Sequence, residues 1–260
     1  MKISQSFVKE YSKYKQKKAC GLQVKAKYID KIKFPSTPTM ELGNYFEFMA
    51  TGCLPRSGEI PIPEMAYKGT AKQKLSTDYE RANESAEFFK KVIDSYKIEI
   101  IETGKCITIE NRTGILDIVA KFNDRLCVID LKYSGLLEDK WNDLGWETES
   151  LPYKDNLMIQ AVHYTMLLAE ISELDYSDVD FYFFVFNSKK SNDAKIIKVN
   201  IDPDVFENHL KALDNVYEEV VINKHNWKPY PSLSLCESCP LIECKHKLTI
   251  PKIEQVYYTI

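Results

Sequence analysis

The sequence predicts an α/β fold in which helices flank a central sheet. Two observations carry this expectation. Three strand-like runs follow one another over residues 98–133, and helical periodicity returns on both sides of them, so that helices and strands alternate along the chain. With 260 residues and 44% hydrophobic content, the chain can bury the core of one compact domain with an accessory region. No internal repeat or low-complexity tract interrupts it.

A helical start is expected to about residue 30, with a turn at Pro35 and Pro38 separating it from an amphipathic helix after Thr39 that carries Glu47. Residues 54–69 contain Pro55, Pro61 and Pro63, which lack a backbone donor, and this excludes regular helix there. Over residues 70–96, Leu75, Tyr79, Ala82, Ala86, Phe89 and Ile93 recur at helical spacing and predict an amphipathic helix long enough to cover a cleft. Strands are expected at 98–109, 114–121 and 126–133. The acidic stretch 134–155 contains Trp141 and Trp146 and reads as a loop pinned by its tryptophans, with a substrate-facing flap as the other reading. A helix over 157–168, strands at 181–186 and 196–201, and a helix after Pro203 complete the alternation. The implied organisation is a basic amino-terminal helical segment (1–38), a core (39–223) and a cysteine-rich carboxy-terminal segment (224–260).

The net charge of −3 disfavours a nucleic-acid partner only until its distribution is considered. Residues 1–33 hold ten lysines against Glu10 and Asp30, a local balance of +8. Such an electrostatic footprint suits phosphates, with Lys13, Lys15, Lys17 and Lys18 as its densest part. Tyr11, Tyr14 and Tyr28 are interleaved with the lysines, either to stack on unpaired bases or to pack inward from a solvated helix. The chain has only four arginines, Arg56, Arg81, Arg112 and Arg125. Lysine dominance favours point-charge phosphate contacts over bidentate base reading, hence weak sequence preference.

In the strand over 126–133, alternation sends Asp130 and Lys132 to one side and Ile129 and Leu131 to the other. A carboxylate and an ammonium therefore aim into one pocket. Carboxylate oxygens suit Mg²⁺ or Mn²⁺, and the lysine can hold a water or stabilise charge on a phosphate; an Asp-Lys ion pair at a strand end is the plainer use of the same triplet. Thirteen residues upstream lies Asp117, in Gly114-Ile115-Leu116-Asp117, and further upstream Glu47 closes Gly43-Asn44-Tyr45-Phe46-Glu47. Downstream, Gln160 and Tyr164 of Gln160-Ala161-Val162-His163-Tyr164 stand four apart, on one helix face.

In this order the four motifs resemble those of the RecB-like branch of the PD-(D/E)XK nuclease superfamily. The Gly114 to Asp117 and Asp130 to Lys132 segments match that pattern residue for residue, and Gln160 with Tyr164 looks like its Gln-x-x-x-Tyr signature; at Glu47 many relatives carry His. The resemblance implies a restriction-endonuclease-like mixed central sheet flanked by helices, and a metal-dependent DNA nuclease. In it, Asp117, Asp130 and Glu47 bind Mg²⁺ or Mn²⁺, Lys132 positions or deprotonates the attacking water, and Gln160 and Tyr164 orient the substrate. It further implies an exonuclease acting on single-stranded or recombination and repair DNA ends, with any helicase or recombinase partner left open. A non-catalytic nucleic-acid-binding module with a structural zinc or iron–sulfur site is the alternative.

Seven cysteines are present, an odd number, with no signal peptide and no apolar run long enough to cross a membrane. This predicts a reducing, cytoplasmic setting, bacterial or that of a phage-infected host. Cys236, Cys239 and Cys244 fall within nine residues and point to metal; with His246 they suit a zinc knuckle. Iron–sulfur nucleases of the same resemblance, the Cas4 and AddB types, join one amino-terminal cysteine to three carboxy-terminal ones. That implies a [4Fe–4S] cluster on Cys20, Cys236, Cys239 and Cys244, joining the two terminal segments. Cys53, Cys106 and Cys127 are isolated and read as small hydrophobes in or near a core.

Overall fold

The computed structural model describes residues 1–70, 72–135, 141–142, 145–146, 154–237, 239–241 and 243–248, with the side chains of 141–142, 145–146, 154–158 and 233 outside the description. In chain order the first half contains α1 (Gln5–Lys15), α2 (Gly21–Tyr28), α3 (Pro38–Thr51), β1 (Met65–Lys68), β2 (Lys72–Leu75) and α4 (Thr77–Ser95). Then come β3 (Glu99–Ile109), β4 (Arg112–Phe122), β5 (Arg125–Ser134), β6 (Trp141–Asn142) and β7 (Gly145–Trp146). The remainder holds α5 (Lys154–Ile171), β8 (Asp180–Asn187), β9 (Ala194–Val199), α6 (Pro203–Tyr217) and α7 (Leu233–Glu237). The chain divides into two compact units, one of Lys2–Gln5 and Ser36–Leu213, the other of Met1, Ser6–Pro35 and Asp214–Ile260.

The larger unit is built on a five-stranded sheet in the order β3-β4-β5-β8-β9. All its pairings are antiparallel except that of β5 with β8, which are parallel and require the crossover that α5 supplies. β8 is buried along its whole length, and its run from Phe181 to Phe186 is apolar throughout, as a strand covered on both faces must be. On one sheet face Ile118, Ala120, Phe122, Cys127, Ile129 and Leu131 form a continuous core with Phe46 of α3 and Tyr79, Ala82, Ala86 and Phe89 of α4. α4 therefore backs the sheet opposite Asp130 and Lys132, and does not cover that side.

Two boundaries differ from the sequence reading. The helix expected from residue 70 begins at Thr77, because Lys72–Leu75 pairs with Met65–Lys68 in an exposed antiparallel hairpin that Gly69, at φ +60°, helps to turn. The hairpin's residues are exposed or half-buried, with Leu75 at the end of β2 packed against the core, so no alternation gave a sign of it. The opening helix is two helices, broken after Lys15, with Lys17 in the left-handed region at φ 60°. The stretch 134–155 lies mostly outside the described residues, within which Trp141 pairs with Trp146 across β6 and β7.

The smaller unit settles the interleaved tyrosines. Phe7, Val8, Tyr11 and Tyr14 fall on one face of α1, and Tyr11 and Tyr14 are each only 4% exposed. Their rings lie 5.8 and 5.4 Å from Trp227, and the Tyr14 hydroxyl accepts from Lys228 N at 3.1 Å. They are core, not stacking platforms for bases. Tyr28 also turns inward, with its ring 5.1 Å from Phe7 and its hydroxyl donating to Ser6 O at 3.1 Å. Gly21 opens α2 against this cluster, where a β-carbon would stand 2.4 Å from Lys228 O and 2.5 Å from Tyr14 Cε2.

In the larger unit, α5 is locked to β4 by an uncommon pair of buried histidines. His163 Nε2 lies 3.0 Å from the Thr113 carbonyl, which can only accept, so this nitrogen carries the proton. His163 Nδ1 must then accept from His209 Nε2 on α6, 3.1 Å away. Burial pushes both below the ordinary histidine value, His163 to about 4 and His209 to about 3 with the help of its neighbour His163. The unfolded chain takes up protons that the folded pair refuses. The pair's stabilisation is thus complete above about pH 6.5 and is lost as pH falls toward 4, at roughly 1.4 kcal/mol per pKa unit of depression. Urea unfolding of the wild type and of His209→Leu between pH 7 and 4 should diverge by a few kcal/mol, the wild type losing more stability. Parallel profiles would show that the pair is not held neutral.

Candidate active site

Three elements of the larger unit bring the predicted carboxylates together. β4 pairs with β5 so that Ile118 faces Ile129, which sets Asp117 beside Asp130 on the sheet face away from the α3/α4 core. Asp117 Oδ2 accepts from Leu131 N at 2.9 Å, across the strand pair. Asp130, 1% exposed, is held from two sides: Gln160 Nε2 donates to its Oδ1, and Oδ2 lies against Lys132 Nζ in a charge contact without hydrogen-bond geometry. The Lys132 side chain is 22% exposed and reaches past the Phe183 ring, its ammonium 5.6 Å from the centroid. Of this ion pair it is the lysine that a substrate can touch.

α5 supplies Gln160 and, one turn on, Tyr164, which is 2% exposed. Its approach to the sheet depends on Gly114, because a β-carbon there would meet Leu167 Cδ1 at 2.8 Å and Tyr164 Cε1 at 3.0 Å. The glycine of the Gly114 to Asp117 motif thus serves helix packing, while Asp117 serves the site. α3 supplies Glu47; the helix is capped by the Thr37 side chain, which accepts from Met40 N at 3.3 Å, and ends at Gly52 in the left-handed conformation, φ 74°.

The electrostatics follow from this crowding. Burial, then the charges of Asp130 and Glu47, hold the Asp117 carboxyl well above the usual carboxylate range. Glu47 is raised by burial and by Asp130, with Lys132 and Arg56 acting in the opposite direction. Asp130 is also raised by burial, against the pull of Lys132 and Arg56. Burial alone would lower Lys132, but Asp130 and Asp117 outweigh it and leave its affinity for a proton raised. Its raised proton affinity favours the charged form, which can hold a water or stabilise anionic charge. Among the described residues no three His, Cys, Asp or Glu side chains are grouped to hold a metal ion. The donor set nevertheless fits a hard divalent cation: acceptor-only oxygens on three carboxylates, with Asp130 raising the affinity of Glu47 and Asp117 for positive charge and Glu47 raising that of Asp117.

Sequence reasoning missed Arg56. Its Nη2 donates to the Tyr164 hydroxyl over a long 3.5 Å, and its charge acts on Glu47 and Asp130. The available signal was compositional, an arginine just past Glu47 in a chain that otherwise relies on lysine.

The cysteines are all free thiols. Cys20, which precedes α2, and Cys236 in α7 are buried, Cys239 and Cys244 half-buried, and all four belong to the smaller unit. There Gln23 Nε2 of α2 donates to Leu235 O at 2.7 Å, so the first cysteine's helix touches the segment carrying the other three. The four are not drawn into a metal cage, and His246 is exposed. Of the isolated cysteines, Cys127 is core, its thiol pushed up to about 12 by burial, and Cys53 is half-buried. Cys106 departs from the expectation: it is exposed on β3, where its neighbour Ile107, pointing to the other face, is the buried residue.

Comparison with known proteins gives the chain's family and a likeness of its fold. The sequence profile of the PD-(D/E)XK nuclease superfamily matches residues 57–244. Among solved structures, that of a candidate exonuclease from Eubacterium rectale superposes with a TM-score of 0.63 at 16% identity, covering 98% of this chain and 91% of that one, a likeness of fold. A structure described as SSO0001 gives a TM-score of 0.31 at 15% identity, over 62% of this chain and 66% of that one. No curated protein sequence matches the chain. With a mixed five-stranded sheet flanked by helices, its carboxylates and lysine on one sheet face, and a profile match across most of its length, the chain belongs to the PD-(D/E)XK nuclease superfamily.

Proposed function

We propose that this protein is a Mg²⁺- or Mn²⁺-dependent deoxyribonuclease that hydrolyses phosphodiester bonds at single-stranded or recombination and repair DNA ends, as an exonuclease. The observation that carries the reading is the adjacency of Asp117 and Asp130, with Lys132 on the same face and Glu47 within electrostatic reach. The description of the Eubacterium rectale protein favours the exonuclease assignment. No helix among the described residues is long and apolar enough to cross a membrane, and the reading places the enzyme in a bacterial cytoplasm or that of a phage-infected host. A helicase or recombinase partner is compatible with action at DNA ends.

Asp117, Asp130 and Glu47 would hold the divalent ion. When bound, it lowers the pKa of a water and offsets charge on the phosphate. The remaining work belongs to the chain. Gln160 fixes the orientation of Asp130 through its amide, and the Leu131 amide fixes Asp117. Lys132, charged and partly open, faces the developing negative charge at phosphorus, and Tyr164 lines the substrate side one helix turn from Gln160.

Incubation with end-labelled single-stranded DNA and Mn²⁺, with and without chelator, tests this directly and reads polarity from the product ladder. Asp117→Ala, Asp130→Ala and Lys132→Ala should each lower cleavage by about 10²–10³-fold or more with the fold retained. Glu47→Ala should weaken Mn²⁺ binding in titration calorimetry. Cleavage by Asp130→Ala at the wild-type rate would overturn the mechanism, and DNA binding without metal-dependent cleavage would favour the non-catalytic module.

The lysine-rich opening is the proposed DNA-binding surface. Lys13 pairs with Glu10 at 3.1 Å and Lys15 with Glu219 at 2.9 Å, whereas Lys17 and Lys18 make no ion pair among the described residues. Neutralising all four should weaken binding to any sequence and flatten its salt dependence, by about 0.7 in slope per lost phosphate contact on a single strand. Most of that change should appear in the Lys17/Lys18 pair alone. An unchanged slope would mark the segment as merely solvated.

A [4Fe–4S] cluster on Cys20, Cys236, Cys239 and Cys244 remains the proposed second centre, supported by their membership of one unit built from both ends of the chain; Zn²⁺ on Cys236, Cys239, Cys244 and His246 is the alternative. Anaerobically purified protein should be brown with about four irons per chain. Cys20→Ala should lose iron as completely as Cys239→Ala. Stoichiometric zinc, unaffected by Cys20→Ala, would establish the local knuckle.

A further inference from the structure

We infer that Arg56 is a phosphate-binding residue of the active site, the cation that receives the DNA backbone beside the carboxylates. The inference rests on the nuclease reading above but uses a residue outside it: the superfamily profile match begins at residue 57.

The loop that carries Arg56 is built to hold it in place. α3 ends at Gly52, whose φ of 74° turns the chain out of the helix that bears Glu47. Cys53 Sγ then lies 3.0 Å from Thr103 Oγ1 of β3, in a space that exists because residue 104 is glycine, where a β-carbon would come within 2.9 Å of that sulfur. Gly58 N donates to Pro55 O at 2.8 Å, closing a β-turn with Arg56 at its second position and glycine at its fourth. From this turn the exposed Arg56 reaches inward to the hydroxyl of the buried Tyr164.

Charge decides what the residue is for. The site holds three carboxylates, Glu47, Asp117 and Asp130, and the ammonium of Lys132 is already placed on Asp130. Arg56 has no carboxylate within ion-pair distance among the described residues, and its long contact with Tyr164 engages one N–H of five. A guanidinium with donors to spare, at the edge of an anionic site, matches the two free oxygens of a phosphodiester in its fork. Tyr164 then steers the guanidinium, and Lys132 is left for the reacting centre.

The test uses the full-length protein with a 20-nucleotide fluorescein-labelled oligo-dT. Binding is followed by anisotropy in chelator across a salt series, cleavage by steady-state kinetics in Mn²⁺, and melting temperature alongside. Arg56→Ala should raise Kd and KM by about fivefold to tenfold and reduce the salt slope by about 0.7, with an unchanged melting temperature. Arg56→Lys should restore the slope, since the charge returns, but recover KM only in part, since the fork does not. Wild-type Kd, slope and KM in Arg56→Ala overturn the inference, as does a lowered melting temperature that Arg56→Lys fails to rescue, which marks a structural role. If the wild-type protein does not cleave, the nuclease reading falls on that arm alone. The chelator binding series still decides whether Arg56 contacts phosphate.

Discussion

Asp117 and Asp130 are neighbours because two antiparallel strands are paired in one register, and the rest of the larger unit can be understood as what makes that register tolerable. Removing a carboxylate from water costs several kcal/mol per ion unless partners replace the lost solvation. Here the replacements are internal: the Leu131 amide for Asp117, and the Gln160 amide with the Lys132 ammonium for Asp130. A slip of one residue between β4 and β5 would turn Asp130 into the apolar face occupied by Ile129 and Leu131, and would set those two in the site. The apolar content of that face is therefore what fixes the chemistry on the other.

The two sides of the sheet carry different burdens. α3 and α4 supply bulk, with Phe46, Tyr79 and Phe89 packed on Ile118, Ile129 and Leu131. α5 supplies polar groups and must come closer, which Gly114 permits. Its anchor is also polar, through His163 to the Thr113 carbonyl next to that glycine and through His209 to α6. Helix approach, glycine and histidine pair thus act on a single stretch of β4, and the placement of Gln160 and Tyr164 follows from it.

Much of this was legible in the sequence, and the reasons for the exceptions are physical. The three central strands, the helix bearing Glu47 and the face shared by Asp130 and Lys132 follow from periodicity that burial enforces. The β1/β2 hairpin is exposed or half-buried along its length, with only its end at Leu75 on the core, and left no alternating pattern. Residues 70–96 read as one helix because Leu75 happens to fall in phase with Tyr79, although it lies in the strand before it. The spacing of Tyr11 and Tyr14 was equally consistent with base stacking and with a core, and only the distant partners Trp227, His225 and Glu219 decide it. Cys106 shows the same limit, since which face of a strand is covered depends on elements distant in sequence, and on β3 the covered side chain is Ile107.

The electrostatic logic of the site runs against its substrate. Three carboxylates repel a polyanion, and in water-poor surroundings that repulsion is stronger than at an open surface. Burial is the first cause of the raised proton affinities of Glu47, Asp117 and Asp130, and Asp130 adds to it at Glu47 and, with Glu47, at Asp117. Lys132 cannot offset the repulsion alone, because its charge is shared with Asp130. On the proposed reading, positive charge enters from outside the strand pair, as a hard cation on the carboxylate oxygens and as Arg56 at the rim. The plain reading of the Asp-x-Lys triplet as an ion pair describes the contact between Asp130 and Lys132; the proposed site adds Glu47 and Asp117 to that pair, and so sets its one ammonium beside three carboxylates with Arg56 as the second cation in electrostatic reach.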